Sequence, residues 1–415
     1  MTDRRDRRVL KPGDRIADFI VKKLLGRGGY GDIYHVYSRS EPDKTYAMKL
    51  EMTNGTKKSH LYNEKEILLT LQDSQYFPKF IAFGHTALFR YLVEECLGPS
   101  LSSFRQLLPK GHFSLSSSLR IGIETLRTIE SFHQHGYIHR DIKPSNFLVR
   151  ASLSAPILLI DYGLAKRYIN KETGELIPPR ERAGFAGTTK YASLNAHENQ
   201  ELSRRDDIFS WIFSLFEMLT GKLPWASSKD KQDVYEYKIR ADIQKFCQDN
   251  KLPHQIYDIY ELIKKYKFED EPNYSLIISF LVEAMKENNC SWDDKYEWNM
   301  ISHDDLLSFS AMTLSPPTND HPMIPKGLPP PVMPDNGHSS SSSYESNSSS
   351  EEFPPLRDYK THNDMAQSFT VSNTNNSFIK QEAVIERNIA KSGKRRNHKG
   401  KVKCVYYMYK KIHFD

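Results

Sequence analysis

Over the first hundred residues the apolar side chains come in β-branched and aromatic runs. From about residue 115 they recur at three and four, and this change of period narrows the possible folds more than anything else in the chain. DFIVKKLL, GDIYHVYS, TYAMKLEM and FRYLVEEC are separated by Gly, Pro, Asp and Asn, which predicts strands. One helix interrupts them over about residues 60–71, and SLSSSLRIGIETLRTIESFHQHG opens a helical region. The expectation is an α+β chain in which a small sheet-rich unit precedes a larger helical one. A cleft between two such units is a natural ligand site.

The mixed, periodic part covers about residues 16–298. After Ser308 the composition changes to SPPTNDHPMIPKGLPPPVMP and then SSSSSYESNSSSEE, which cannot bury enough apolar surface to offset their ordering entropy. The predicted organisation is a charged arm over residues 1–15, a sheet-rich lobe over 16–100, a helical lobe over 101–308 and a mostly disordered tail over 309–415. No run of 18 apolar residues occurs. The richest stretch, IFSWIFSLFEMLTG, is short and carries Glu217, so it reads as a buried helix and no membrane span is expected. The charged start MTDRRDRRVLKPGD lacks the apolar core of a secretory signal, and Cys96, Cys247, Cys290 and Cys404 form no CxxC pair. A protein of the cytoplasm, with the nucleus as a second location, is expected. The net charge of +6 decides nothing about partners by itself. The basic stretch within residues 391–403 could contact nucleic acid or direct nuclear import, or could simply be a solvated end.

Four stretches carry chemistry. In GRGGYGDIY, Gly26, Gly28 and Gly31 make a GxGxxG pattern between two strands; such glycines let a loop approach phosphates, although a glycine hairpin reads the same. The absence of a following helix argues against a dinucleotide-binding turn. Lys49 lies in the alternating strand YAMKL. A strand lysine is usually solvated, but Glu64 falls on the same helical face as Leu61, Leu68 and Leu71, and a carboxylate on an apolar stripe needs a partner. Lys49 is the candidate. YIHRDIKPSNFLV places Asp141, Lys143 and Asn146 within six residues, and Asp161 ends PILLID 20 residues after Asp141. Two aspartates with an asparagine between them suit Mg²⁺, which prefers few carboxylates plus phosphates. Singly, each aspartate reads equally as a turn or cap residue.

In this order and spacing the stretches resemble the signature set of the protein kinases. GRGGYGDI matches the glycine-rich loop, YAMK the strand lysine, HRDIKPSN the catalytic loop and DYG the variant of DFG. GTTKYASLNAHENQ, with Ser193-Leu194-Asn195 where most kinases carry APE, resembles the casein kinase 1 group, as do SRRDDIFSW, GKLPW and DKYEWN. GELIPPRERAGFAGTTKYASLNAHENQELSRRDD, KDKQ and NYSLIISFLVEAMKEN are most similar to its tau-tubulin kinase branch. The similarity spans about residues 15–300.

The resemblance implies a two-lobed kinase fold, ATP and Mg²⁺ as cofactors, and monomeric action on proteins bearing Ser or Thr acceptors. It implies Asp141 as the base that orients the acceptor hydroxyl and Lys143 as the neutraliser of the transferring phosphoryl group. It further implies Asn146 and Asp161 as metal ligands, and Lys49 with Glu64 as phosphate positioners. Leu25, Gly26, Gly28, Gly31 and Ile33 would line the nucleotide, with backbone groups of Glu95 and Leu97 on adenine. Glu94 then occupies the gatekeeper position, unless the register slips by one and Val93 takes it. Lys190, Gly221 and Lys229 match an anion site that would favour acidic or already phosphorylated substrates, with Arg204 and Arg205 close in sequence. Thr188 is expected to contact Asp141, Asp207 to anchor the catalytic loop from beneath, and activity not to require phosphorylation near Arg140. The tract from Ser339 to Ser350 is a candidate for autophosphorylation. A non-catalytic scaffold is the alternative; it is separated by Lys49, Asp141, Asn146 and Asp161, all of which are present.

Overall fold

The computed structural model describes residues 9–27, 31–53, 59–150 and 155–300. Gly28, the serine and acid tract and the basic stretch at 391–403 lie outside these residues, as does the expectation of a disordered tail.

Six strands form one antiparallel sheet: β1 (Arg15–Ile16), β2 (Phe19–Arg27), β3 (Asp32–Ser38), β4 (Thr45–Met52), β5 (Phe80–His85) and β6 (Phe89–Glu95), in the order β1-β2-β3-β4-β6-β5. Side chains alternate between the two faces of each strand. Met48, Leu50 and Val93 are buried on one face with Val21, Tyr34 and Val36. Ala47 and Lys49 pair with Glu94 and Leu92, which puts these four on the opposite face. There α1 (His60–Thr70) buries Leu61, Glu64, Ile67 and Leu68. The four strand-like runs thus become β2, β3, β4 and β6. The edge strands β1 and β5 were not anticipated, because one has only two residues and the other, FIAFGH, is broken by Gly84.

The second lobe is helical. After α2 (Leu101–Leu107), α3 (Leu115–Gln134) runs through its centre and packs on α5 (Arg204–Thr220) and α9 (Tyr274–Glu287). Trp211 of α5 is fully buried and its Nε1 donates to Gly122 O at 3.2 Å and Thr125 Oγ1 at 3.0 Å, tying α5 to α3. Short pairs β7 (Tyr137–Ile138) with β10 (Lys166–Arg167), and β8 (Phe147–Val149) with β9 (Ile157–Leu159), brace the loops between α3 and α4 (Leu194–His197). After α5 the chain continues through α6 (Lys231–Arg240), α7 (Ile243–Asp249) and α8 (His254–Ile263) to α9.

The stretch IFSWIFSLFEML is the buried helix it promised to be. The cap of α5 lies upstream of Asp207. Ser203 is the N-cap and its backbone N–H donates to Asp206 Oδ2 at 2.8 Å, which frees the buried Asp207 for another task. Among the described residues no helix is long and apolar enough to cross a membrane.

Candidate active site

The sheet and the helical lobe each supply part of one charged cluster. Lys49 leaves β4 on the face covered by α1, and Glu64, one of the buried residues of α1, meets it: Lys49 Nζ donates to Glu64 Oε1 at 2.8 Å and Oε2 at 2.7 Å. The same Nζ donates to Asp161 Oδ1 at 3.0 Å, from just beyond β9. Burial by itself would lower the pKa of Lys49, but the two carboxylates outweigh it and hold the pKa above its ordinary value. Lys49 in turn pulls Asp161 down to about 2 against the effect of burial. One cation between two carboxylates leaves surplus negative charge. Asp161 adopts left-handed backbone geometry with φ 67°, a conformation costly for a residue with a side chain and common where a site dictates it.

Glu94 faces this cluster from β6. Its pairing with Ala47, and the burial of Val93 on the far side of the sheet, put Glu94 on the Lys49 face. Burial, reinforced by Glu64 and Asp161, pushes its carboxyl pKa up to about 8 although Lys49 opposes this. The protonated form is thereby favoured over the carboxylate.

Across the cleft, Lys143 Nζ donates to Asp141 Oδ2 at 2.7 Å and to Thr188 Oγ1 at 3.0 Å, and Thr188 Oγ1 donates to Asp141 Oδ1 at 2.7 Å. Both carboxylate oxygens of Asp141 are thereby oriented. Asn146 Nδ2 donates to the Asp141 carbonyl at 3.0 Å, so the other end of this amide, Oδ1, is the end available to a cation. The loop rests on Asp207: its Oδ2 accepts from His139 N at 2.6 Å and its Oδ1 from Arg140 N at 2.8 Å. His133 Nε2 lies 2.9 Å from the same Oδ2. Burial would raise the pKa of Asp207, but these donors outweigh it and hold it low. Arg140, with φ 64°, donates from Nε to Leu164 O at 2.7 Å and so links the catalytic loop to the segment after Asp161.

The structure also distributes the other expected residues. Ile33 pairs with Lys49 and shares its face, and Leu25 is buried in β2 beside Gly26, which pairs with Ile33. A Cβ on Gly31 would collide with the carbonyl oxygen of Leu50, so only glycine fits there. Leu97 is buried, and the side chain of Glu95 forms a bidentate ion pair with Arg150. Lys190 Nζ sits 2.5 Å from Glu217 Oε1, an oxygen that also accepts from Arg105 Nη2 at 3.0 Å; Lys229 is exposed, and Gly221 closes α5 in left-handed geometry. Arg204 and Arg205 are engaged away from Lys190: the Arg204 guanidinium lies over the Tyr168 ring and bonds Glu269 O, and Arg205 donates to Tyr266 O.

Three supporting residues were missed in the sequence. Asp206 accepts from both Ser193 Oγ at 2.7 Å and Asn195 Nδ2 at 2.8 Å, and no spacing rule announces a partner 11 or 13 residues away. His133 looked like one more residue of an amphipathic helix. Gly187, with φ 102°, lets the chain pass so close to Arg140 O that a Cβ would stand 2.6 Å from it; the run GFAGTT was the available signal.

Comparison with known proteins agrees with this geometry. Residues 19–291 match the family model described as protein kinase domain. The chain is 35% identical over 282 residues to a probable serine/threonine-protein kinase of Dictyostelium discoideum, an alignment covering 68% of this chain and 56% of that protein. It is 30% identical over 284 residues to the serine/threonine-protein kinase spe-6 of Caenorhabditis elegans, covering 67% of this chain and 74% of that protein. The chain thus spans little more than half the length of the Dictyostelium relative.

Proposed function

Because the chain belongs to the protein kinase family, we propose that it transfers the γ-phosphoryl group of ATP to serine or threonine hydroxyls of proteins. The observation that carries this reading is the cluster in which Lys49 from the sheet meets Glu64 and Asp161, with Asp141, Lys143 and Thr188 hydrogen-bonded across the cleft.

In this reading Lys49, held by Glu64, binds phosphate oxygens as a fixed point charge. Asp141 receives and orients the acceptor hydroxyl. Lys143, already 2.7 Å from Asp141, offsets charge that develops on the phosphoryl oxygens. Asn146 and Asp161 would hold the metal: one amide oxygen and one carboxylate beside a surplus of negative charge fit Mg²⁺, which takes few protein oxygens together with phosphates. When bound, the ion supplies charge neutralisation between the phosphates. Leu25, Gly26, Gly31 and Ile33 line the nucleotide and backbone groups of Glu95 and Leu97 contact adenine, with Glu94 rather than Val93 at its inner edge.

We further infer that the chain falls in the casein kinase 1 group, on its tau-tubulin kinase branch. Ser193 and Asn195 of the SLN motif both bond the capping carboxylate Asp206, which gives that motif a structural task of its own. A preference for acidic or phosphorylated sites is supported by charge count. The single carboxylate of Glu217 is shared by Arg105 and Lys190, so one positive charge remains there, and Lys229 is exposed. The test is transfer of labelled phosphate from ATP to casein, followed by phosphoamino-acid analysis. Recovery of phosphoserine or phosphothreonine is expected; unlabelled protein, or phosphotyrosine alone, would overturn the reading.

A further inference from the structure

Helix α6 docks on the lobe through two buried residues, Val234 and Lys238. A lysine so enclosed ordinarily needs a carboxylate, and among the described residues none pairs with Lys238. Its Nζ donates instead to Thr189 O at 2.8 Å and to Ala192 O at 2.6 Å, and lies 3.2 Å from His197 Nε2. The rings of Phe213 and Trp225 flank it, with centroids 5.3 Å and 5.4 Å away. Trp225 Nε1 donates to Lys190 O at 2.7 Å. Three carbonyls of residues 189–192 are therefore tied to the lobe by one ammonium group and one indole. The residue just before them, Thr188, is the one that bonds Asp141 and Lys143.

We propose that Lys238 is a positioning residue for the protein substrate: its ammonium group tethers residues 189–192 and thereby fixes Thr188 and the acceptor side of the cleft. The inference rests on the kinase reading of the site. The ammonium form donates to both carbonyls with bonds strengthened by its charge, and a neutral amine loses that charge assistance. Burial pushes the Lys238 pKa down to about 7. The groups around it do not compensate. His197 is itself held neutral by burial, down to about 4; Glu198, the residue just past α4, is taken by Tyr235, and Glu217 of α5 by Arg105, Lys190 and Tyr191. Lys231, on the same helix, adds only positive charge. Loss of the charge as the pH rises through about 7 therefore weakens the tether.

Two readouts test this on the full chain. The amides of Tyr191 and Ala192 both donate to Thr188 O. In Lys238→Met their hydrogen exchange should quicken on the order of tenfold relative to wild type, with that of α3 unchanged; equal rates would overturn the tether. With casein as probe, the wild-type KM for casein should rise several-fold from pH 6 to 8.5. Lys238→Met should show a raised KM that no longer depends on pH, and Lys238→Arg should restore a low one at pH 8.5. Wild type and Lys238→Met sharing one KM at every pH would overturn the substrate role while leaving the kinase reading intact. Failure of the wild type to phosphorylate casein would remove the kinase reading and the substrate role together, and amide exchange would still decide the tether. Should Lys238→Met not fold, a flat wild-type KM between pH 6 and 8.5 overturns the proposal.

Discussion

Lys49 of β4 and Asp161, 112 residues further on, are joined by a 3.0 Å hydrogen bond that links the sheet to the catalytic side of the cleft. The same ammonium group is bound bidentately by Glu64, so one cation serves two carboxylates from two lobes.

Removing that cation separates structural from chemical roles. Lys49→Met strands a buried carboxylate and should cost about 3–5 kcal/mol in denaturant unfolding. Phosphate transfer should fall on the order of 10²–10³-fold. Adding Glu64→Leu should recover most of the stability, because the stranded charge is gone, and none of the transfer. Recovery of transfer in the double variant would show that Lys49 acts only through packing.

Asp207 touches no reacting group in this arrangement, yet it holds the amides of His139 and Arg140. Asp207→Ala should cost about 1–3 kcal/mol for each buried donor left unpaired. The transfer rate should drop, with little change in the KM for ATP. Asp207→Asn, which keeps one oxygen, should fall between Ala and wild type in unfolding measurements. Equal effects of Asn and Ala would mean that packing, not hydrogen bonding, is what Asp207 contributes.

Glu94 gives a pH dependence of definite sign. Its pKa is about 8 in the folded chain against 4.5 ordinarily, so the folded state binds the extra proton between those values. Stability from this group is fully present below about pH 4.5 and is lost as the pH rises through 8. Glu94→Gln, which does not titrate, should therefore gain stability relative to wild type as the pH rises across that window. A constant difference in Tm between the two proteins would contradict the raised pKa.

Much of this site was legible in the sequence because its elements obey strong periodic rules. The alternation of TYAMKLEM put Lys49 opposite a buried stripe, and the three-and-four spacing around Glu64 put a carboxylate where Lys49 could reach it. The choice between Val93 and Glu94 was not legible: alternate faces differ by a single residue, and only the pairing with Ala47 fixes the register. Asp207 was legible as the anchor beneath the catalytic loop, but which of the adjacent Asp206 and Asp207 caps α5 was not, because local chemistry does not distinguish them. Lys238 was not found at all. Its acceptors are carbonyls 46 and 49 residues away, and a backbone carbonyl leaves no mark on the sequence. Arg204 and Arg205 lie close in sequence to the expected anion site, but closeness in sequence did not reveal that Tyr168, Glu269 and Tyr266 engage them.

The most direct test of the central claim compares wild type with Asp141→Asn. The variant keeps the side-chain shape and an oxygen that can still accept from Lys143 or Thr188, so its unfolding midpoint should stay close to wild type. Incorporation of labelled phosphate from ATP into casein should be readily measured for wild type and lower on the order of 10²–10⁴-fold for Asp141→Asn. Equal incorporation by the two proteins would contradict the role given to Asp141 and, with it, the assignment of this cleft as the site of phosphoryl transfer.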